Sequence, residues 1–288
     1  MTVTRTSMLG CVLGVLFAGI AGCHDEPRRP VASDSGPASI ELRHRFVKGR
    51  TLRYDSKTVE RGTVETTIDM QYLWTETGVR PSGEGEVEIS IARYQYRVFP
   101  TGERGTPLDA RVMNEKLVGA SFRLLVSPDG HDVQHLGVEG LPDITPASVE
   151  ALRLTLTGHV LRLPADHVVP GKRWTVEHRP APDAGPGALH TENQWRVLSV
   201  RRVADRQVLD LVCLSVMTPQ PMRVEGRRVV NRTEFHYAYQ WSSTEGILEG
   251  LTSRGETEVR TETAPDSGVF EEPRRVRFEG TLRLVDRR

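Results

Sequence analysis

The feature that most constrains this chain is an alternation of apolar and polar residues with period two, which recurs from Ile40 to the last residues. Val64, Thr66, Ile68, Met70, Tyr72 and Trp74 form one long face opposite Glu65, Thr67, Asp69 and Gln71. Successive side chains of a strand point to opposite sides, so this pattern predicts strands buried on one face only. Ile40, Leu42, His44 and Phe46 alternate in the same way, as do Val87, Ile89 and Ile91, which lead into Tyr94, Tyr96 and Val98. In the second half, Val208 to Met217, Phe235 to Trp241, and Val276 to Leu284 repeat the habit. Strands with one apolar and one charged face belong to antiparallel sheets wetted on one side. The expected fold is therefore mainly β: long antiparallel strands forming a curved sheet, a half-barrel or a sandwich.

Turn residues punctuate these runs. Ser127-Pro128-Asp129-Gly130, Ala204-Asp205 and Glu245-Gly246 each stand between two strand patterns. One segment departs from period two. Thr145 can cap, Pro146 fits a first helical position, and Val149, Leu152 and Leu156 recur at helical spacing before Gly158, predicting one amphipathic helix near 146–158. Val47-Lys48-Gly49-Arg50 is echoed by Val169-Pro170-Gly171-Lys172, each followed by a strand with an aromatic residue. That echo suggests a single domain over 40–288 built as two similar halves, 40–144 and 163–288, around the helix; chance recurrence of glycine turns is the plain alternative.

The N-terminal stretch has different chemistry. A short polar segment carrying Arg5 precedes a nearly unbroken apolar run, Met8 to Ile20, then Ala21, Gly22 and Cys23. This is the layout of an export signal over residues 1–22, and the run is shorter than the ~18 residues a permanent membrane span needs. Ile20-Ala21-Gly22-Cys23 resembles the lipobox of bacterial lipoproteins. The resemblance implies a lipid on Cys23, cleavage just before it, and a body held in the cell envelope, in the periplasm or at the cell surface. His24 rather than Asp follows the cysteine, which in that family points to the outer membrane. Residues 23–39 hold Pro27, Pro30 and Pro37 among charged residues, a composition suited to a disordered tether.

In the body, Phe46-Val47-Lys48-Gly49 and Leu163-Pro164, followed by Val169-Pro170-Gly171-Lys172-Arg173-Trp174, resemble an uncharacterised group of β-rich envelope lipoproteins. More distantly the pattern is similar to the half-open β-barrels of periplasmic lipoprotein and lipid carriers. The second resemblance implies a sheet curled round an apolar cavity.

Composition narrows the partners. Lys plus Arg and Asp plus Glu both number 38, so electrostatic attraction to nucleic acid is not expected. Besides Cys11 and Cys23 the only cysteine is Cys213, inside the apolar run Leu209 to Leu214, where it reads as a small buried hydrophobe. Candidate chemistry is sparse. His131 and His135 lie four apart beside a turn, without the helical pairing of a zinc motif. Glu84, Glu86 and Glu88 share one face in the pattern of a solvated strand, and no nucleophile elbow is present. No enzyme activity, cofactor or metal is expected. The aromatic residues Tyr72, Trp74, Tyr237, Tyr239 and Trp241 are the candidate lining of an apolar ligand site; as alternative they fill a packed core. Two functions follow: an anchored, non-enzymatic envelope component with a structural or protein-contact role, or a carrier or sensor of a lipid-like ligand in a β half-barrel. The membrane, reached through the lipid on Cys23, is the first expected partner.

Overall fold

The structure, a computed structural model, describes residues 39–62, 64–100, 108–109, 117–141, 152, 156–157, 160–179, 188–224 and 226–288. Cys23 and the signal and tether segments lie outside the described residues.

The described residues form one antiparallel, thirteen-stranded sheet. Its strands are β1 (Thr51–Arg61), β2 (Val64–Val79), β3 (Gly85–Pro100), β4 (Leu108–Asp109), β5 (Ser121–Val126), β6 (Val133–Glu139) and β7 (Arg173–His178). They continue with β8 (Leu189–Val203), β9 (Arg206–Pro219), β10 (Met222–Val224), β11 (Arg227–Ser242), β12 (Ile247–Thr261) and β13 (Arg274–Arg287). The order is β6-β5-β3-β2-β1-β13-β12-β11-β9-β8-β7, with β4 beside β3 and β10 beside β11. Two meanders run outward from a central pairing of the first strand with the last, where Thr51 and Arg288 exchange both backbone hydrogen bonds at 2.9 Å. Read as a circle, this is the order of an up-and-down barrel interrupted once, between β6 and β7. The sheet is not closed there.

Alternation places one apolar set inside. Leu52 and Tyr54 of β1, Met70, Tyr72 and Trp74 of β2, Val87, Ile89 and Ile91 of β3, and Phe122 and Leu124 of β5 share one core with Leu209 and Leu211 of β9, Tyr239 and Trp241 of β11, and Leu282 of β13. The sheet curls enough that Trp74 and Trp241, on strands separated in the order by β1, β13 and β12, line one cavity. The strands also run further than the apolar alternation. β12 continues through Glu256-Thr257-Glu258-Val259-Arg260-Thr261, where cross-strand pairs such as Thr233–Thr257 (2.8 Å) replace apolar packing.

The expected strand at Ile40–Phe46 is a strap instead. Ile40, Leu42 and His44 are buried as the alternation requires. Apart from one bridge to Val168, however, this segment joins no strand of the sheet. Its N–H groups bond to loops: His44 to Pro128 O (2.6 Å) and Arg45 to Gly246 O (3.4 Å). Two glycines admit it. A side chain at Gly85 would meet the Phe46 ring at 2.2 Å, and one at Gly246, whose φ is +66°, would meet the Arg45 nitrogen at 2.2 Å.

The connection from β6 to β7 packs behind the interruption: Leu161, Leu163 and Val168 are buried, and Leu163 N–H reaches Asp129 O at 2.8 Å. The amphipathic helix expected near 146–158 is not seen, because that segment lies outside the described residues except for Leu152, Leu156 and Thr157. Leu156 is buried, and Leu152 packs against the core. No helical element is present among the described residues.

The sequence echo has a geometric counterpart. Gly49 and Gly171 have φ of +90° and +88°. Each turn closes alike, Arg50 N–H to Val47 O (2.9 Å) and Lys172 N–H to Val169 O (3.0 Å). Each then bonds the following long strand alike: Gly49 N–H to Glu76 O, with Glu76 N–H returning to Arg50 O, and Gly171 N–H to Val197 O, with Val197 N–H returning to Lys172 O. The two strand entries are thus the same structural device used twice.

Candidate functional site

The five aromatic residues singled out by the sequence divide into two groups. Tyr72, Trp74 and Trp241 line one small chamber with His44, Leu52, Tyr54 and Glu76. Tyr54 stacks on Tyr72 with ring centroids 5.3 Å apart, and His44 meets Trp241 edge-on at 4.9 Å. Tyr237 and Tyr239 belong to a continuous ladder, Trp174–Trp195–Tyr239–Tyr237–Phe235–Phe278, with successive centroids between 5.0 and 5.7 Å. Such spacings are those of favourable aromatic pairs. The structure therefore places all five residues on the inner face, but it does not gather them around one site. Trp174, Trp195, Phe235 and Tyr54 were not singled out. Their signal was available, since each sits in phase with the apolar residues of its own strand.

The chamber has a volume of about 30 Å³. That is room for very few water molecules, whereas sites for small organic ligands occupy roughly 300–1,000 Å³.

Charged residues close the end of the sheet beneath the strap. Glu76 continues the inner face of β2 after Tyr72 and Trp74 and is 1% exposed. Arg50, just past the Gly49 turn, grips it with both arms, Nη2 to Oε1 at 2.7 Å and Nε to Oε2 at 3.1 Å. The same guanidinium donates to the carbonyls of Glu245 (3.1 Å) and Arg45, and Val47 N–H donates to the Glu76 carboxylate. Burial pushes the Glu76 pKa up, while the Arg50 guanidinium, the Val47 N–H and Trp74 pull it down; burial prevails. Beside this pair, Arg206 and Arg287 bind both Glu245 and Glu249. One buried fork thus ties β1, β2, the strap and the β11–β12 turn together.

Two further groups titrate in opposite senses. His44 is buried, its Nε2 lies 3.0 Å from Leu161 O, and desolvation lowers its pKa to about 4 from 6.5. The unfolded chain binds more protons than the fold between those values, so this group adds stability as pH rises from about 4 to 6.5. Glu60 faces inward on β1, and burial raises its pKa from 4.5 to about 7. There the fold holds the extra proton, so stability falls as pH rises from 4.5 to about 7. Glu60→Gln is therefore expected to stabilise the protein at pH 8 by about 1–2 kcal/mol, after allowance for its partial contact with solvent, and to be near neutral below pH 4. Urea titrations at the two pH values read the difference; an equal effect at both would contradict the burial of its charge.

The remaining candidates are structural. Cys213 is buried opposite Trp195, and burial raises its thiol pKa. His131 Nε2 lies 3.0 Å from the Leu163 carbonyl, helping to hold the β6–β7 connection. Glu86 pairs with Arg80 at 3.1 Å in the exposed hairpin. Among the described residues no group of three or more His, Cys, Asp or Glu is arranged to hold a metal. The larger concavity, about 610 Å³, is lined by alternating charges on β11, β12 and β13. Glu256 and Glu258 there are bound by Arg275, Arg277 and Arg260, so the surface is already neutralised by its own ion pairs. Compared with known proteins, the chain matches no protein-family model and none of the curated proteins.

Proposed function

We propose that this protein is a lipid-anchored component of a bacterial envelope whose β body serves structure or protein contact rather than catalysis or ligand transport. The observation that carries the reading is the interior. A curled sheet of this size could enclose a ligand, but among the described residues its inner face is packed with its own tyrosines and tryptophans around a chamber of about 30 Å³. The charged fork at the strap end adds to this, because it closes the end by which the chain enters the sheet. The anchor rests on the sequence Ile20-Ala21-Gly22-Cys23 after an apolar run. Two or more acyl chains, each methylene contributing about 0.8 kcal/mol when buried, would hold such a body on a membrane durably.

The test is expression of the full chain beside its Cys23→Ser variant in a bacterium that processes lipoproteins. The wild type is expected in the membrane fraction, with an N-terminal peptide that begins at Cys23 and carries the mass of a diacylglycerol. The variant should lose that mass and leave the membrane fraction. An unmodified Cys23, or a variant that stays bound as firmly as the wild type, would contradict the anchor.

A further inference from the structure

Among the described residues, β7 is one of the two end strands of the sheet, and it is the less protected of them. The other edge, β6, contains Gly137 and faces a register shift between Arg123 and Leu124 of β5, irregularities that discourage further pairing. The β7–β8 register runs unbroken from Arg173↔Arg196 to His178↔Thr191, and β7 contains no proline, glycine or lysine.

The direction of its free backbone groups can be deduced. Val197 N–H donates to Lys172 O at 3.0 Å. In an antiparallel ladder, a bond that flanks Arg173↔Arg196 in this way makes them a non-hydrogen-bonded pair. Trp174, Val176 and His178 therefore turn their N–H and C=O groups toward β8. Arg173, Thr175 and Glu177 turn theirs to the open side, where no backbone partner is found among the described residues. The side chains of these three are exposed, while Trp174 and Val176 pack against the core.

From this pattern we infer that β7 pairs antiparallel with β7 of a second copy of the chain, about a two-fold axis through Thr175. A two-fold ladder can centre on any residue of β7. Centring on Trp174 or Val176 sets Thr175 against Arg173 or Glu177 and forms no pair of opposite charges between those residues. Centring on Arg173 sets arginine against arginine, and centring on Glu177 sets carboxylate against carboxylate; both are unfavourable for residues directly opposite. Centring on Thr175 sets Arg173 against Glu177 of the second copy, twice, and Thr175 against Thr175. On the other face it sets Trp174 against Val176, an aromatic and β-branched pair of the kind that stabilises sheets. Arg173 of the second copy would then join the existing cluster in which Glu177 binds Arg179 (2.7 Å) and His190 (2.8 Å). A ladder of this length buries less surface than a standard interface, so the association is weak and depends on concentration.

The experiment uses the full chain in mild detergent. Thr175→Cys places two sulfurs at the axis, where the roughly 5.5 Å between paired Cα atoms suits a disulfide. Mild oxidation should yield covalent dimer several-fold above the wild type, whose buried Cys213 sets the background. Thr175→Pro removes only an outward N–H, which an edge strand tolerates, and should abolish the concentration-dependent dimer in sedimentation velocity. Arg173→Glu or Glu177→Arg alone should weaken dimerisation roughly tenfold, and the double reversal should restore it. Cross-linking no better than wild type, or a dimer unaffected by the proline and by both single reversals, would overturn the assignment.

Discussion

Glu76→Ala is expected to destabilise the protein by about 3–5 kcal/mol, the usual result of removing one partner from a buried ion pair and leaving the other charged. The carboxylate is 1% exposed and takes both arms of Arg50. Without it, the guanidinium, only partly exposed, keeps just the Arg45 and Glu245 carbonyls, and Val47 N–H loses its acceptor. For a body of this size the loss corresponds to a melting temperature lower by about 10 °C. The exposed pair Arg61–Glu65, at 3.0 Å, is the control: Glu65→Ala should cost less than about 1 kcal/mol. Arg50→Ala and Glu76→Ala should be strongly non-additive, since each removes the same fork. Urea unfolding followed by tryptophan fluorescence measures all of these. A cost below about 1 kcal/mol for Glu76→Ala would mean that the strap end is not held by this pair.

Trp241→Ala should cost about 3–5 kcal/mol by a different route. Trp241 is fully buried, pairs across strands with Leu209 and Leu248, and meets His44 edge-on. Its removal would widen a chamber of about 30 Å³ into a cavity on the order of 150 Å³, large enough to admit a benzene-sized molecule. Added indole should then bind the variant and recover part of the lost stability, while leaving the wild type unmoved. Stabilisation of the wild type by indole would show that the interior already holds usable space.

The sequence stated the inner faces well because one-sided burial forces alternation: Tyr72 and Trp74, Tyr239 and Trp241, and Cys213 stand where their phase put them. The turns at Gly130, Ala204 and Gly246 were legible for a comparable reason, as each adopts a positive φ in the structure. The extent of β11 and β12 was harder to read, since Arg227–Arg232 sets two adjacent valines among charges, against period two, and Glu256–Thr261 has only Val259 among charges and threonines. Ile40–Phe46 read as a strand because a strap that buries alternate residues has the same period; only its hydrogen bonds to Pro128 and Gly246 distinguish it. The fork of Arg50 and Glu76 was invisible for a deeper reason. A charged residue in phase with an apolar face looks like the end of a strand, and its partner lies 26 positions away. The division of the aromatic set likewise depends on how strands associate across the sheet, which local pattern does not encode.

The central claim is that this sheet is filled by its own side chains. The most direct measurement is native mass spectrometry of the full chain, extracted from membranes in mild detergent and compared before and after denaturation. The account predicts one mass in both states, that of the chain with its covalent anchor, and no uptake of added fatty acid or phospholipid. A further lipid that leaves only on denaturation would contradict it and make the aromatic strands the wall of a carrier.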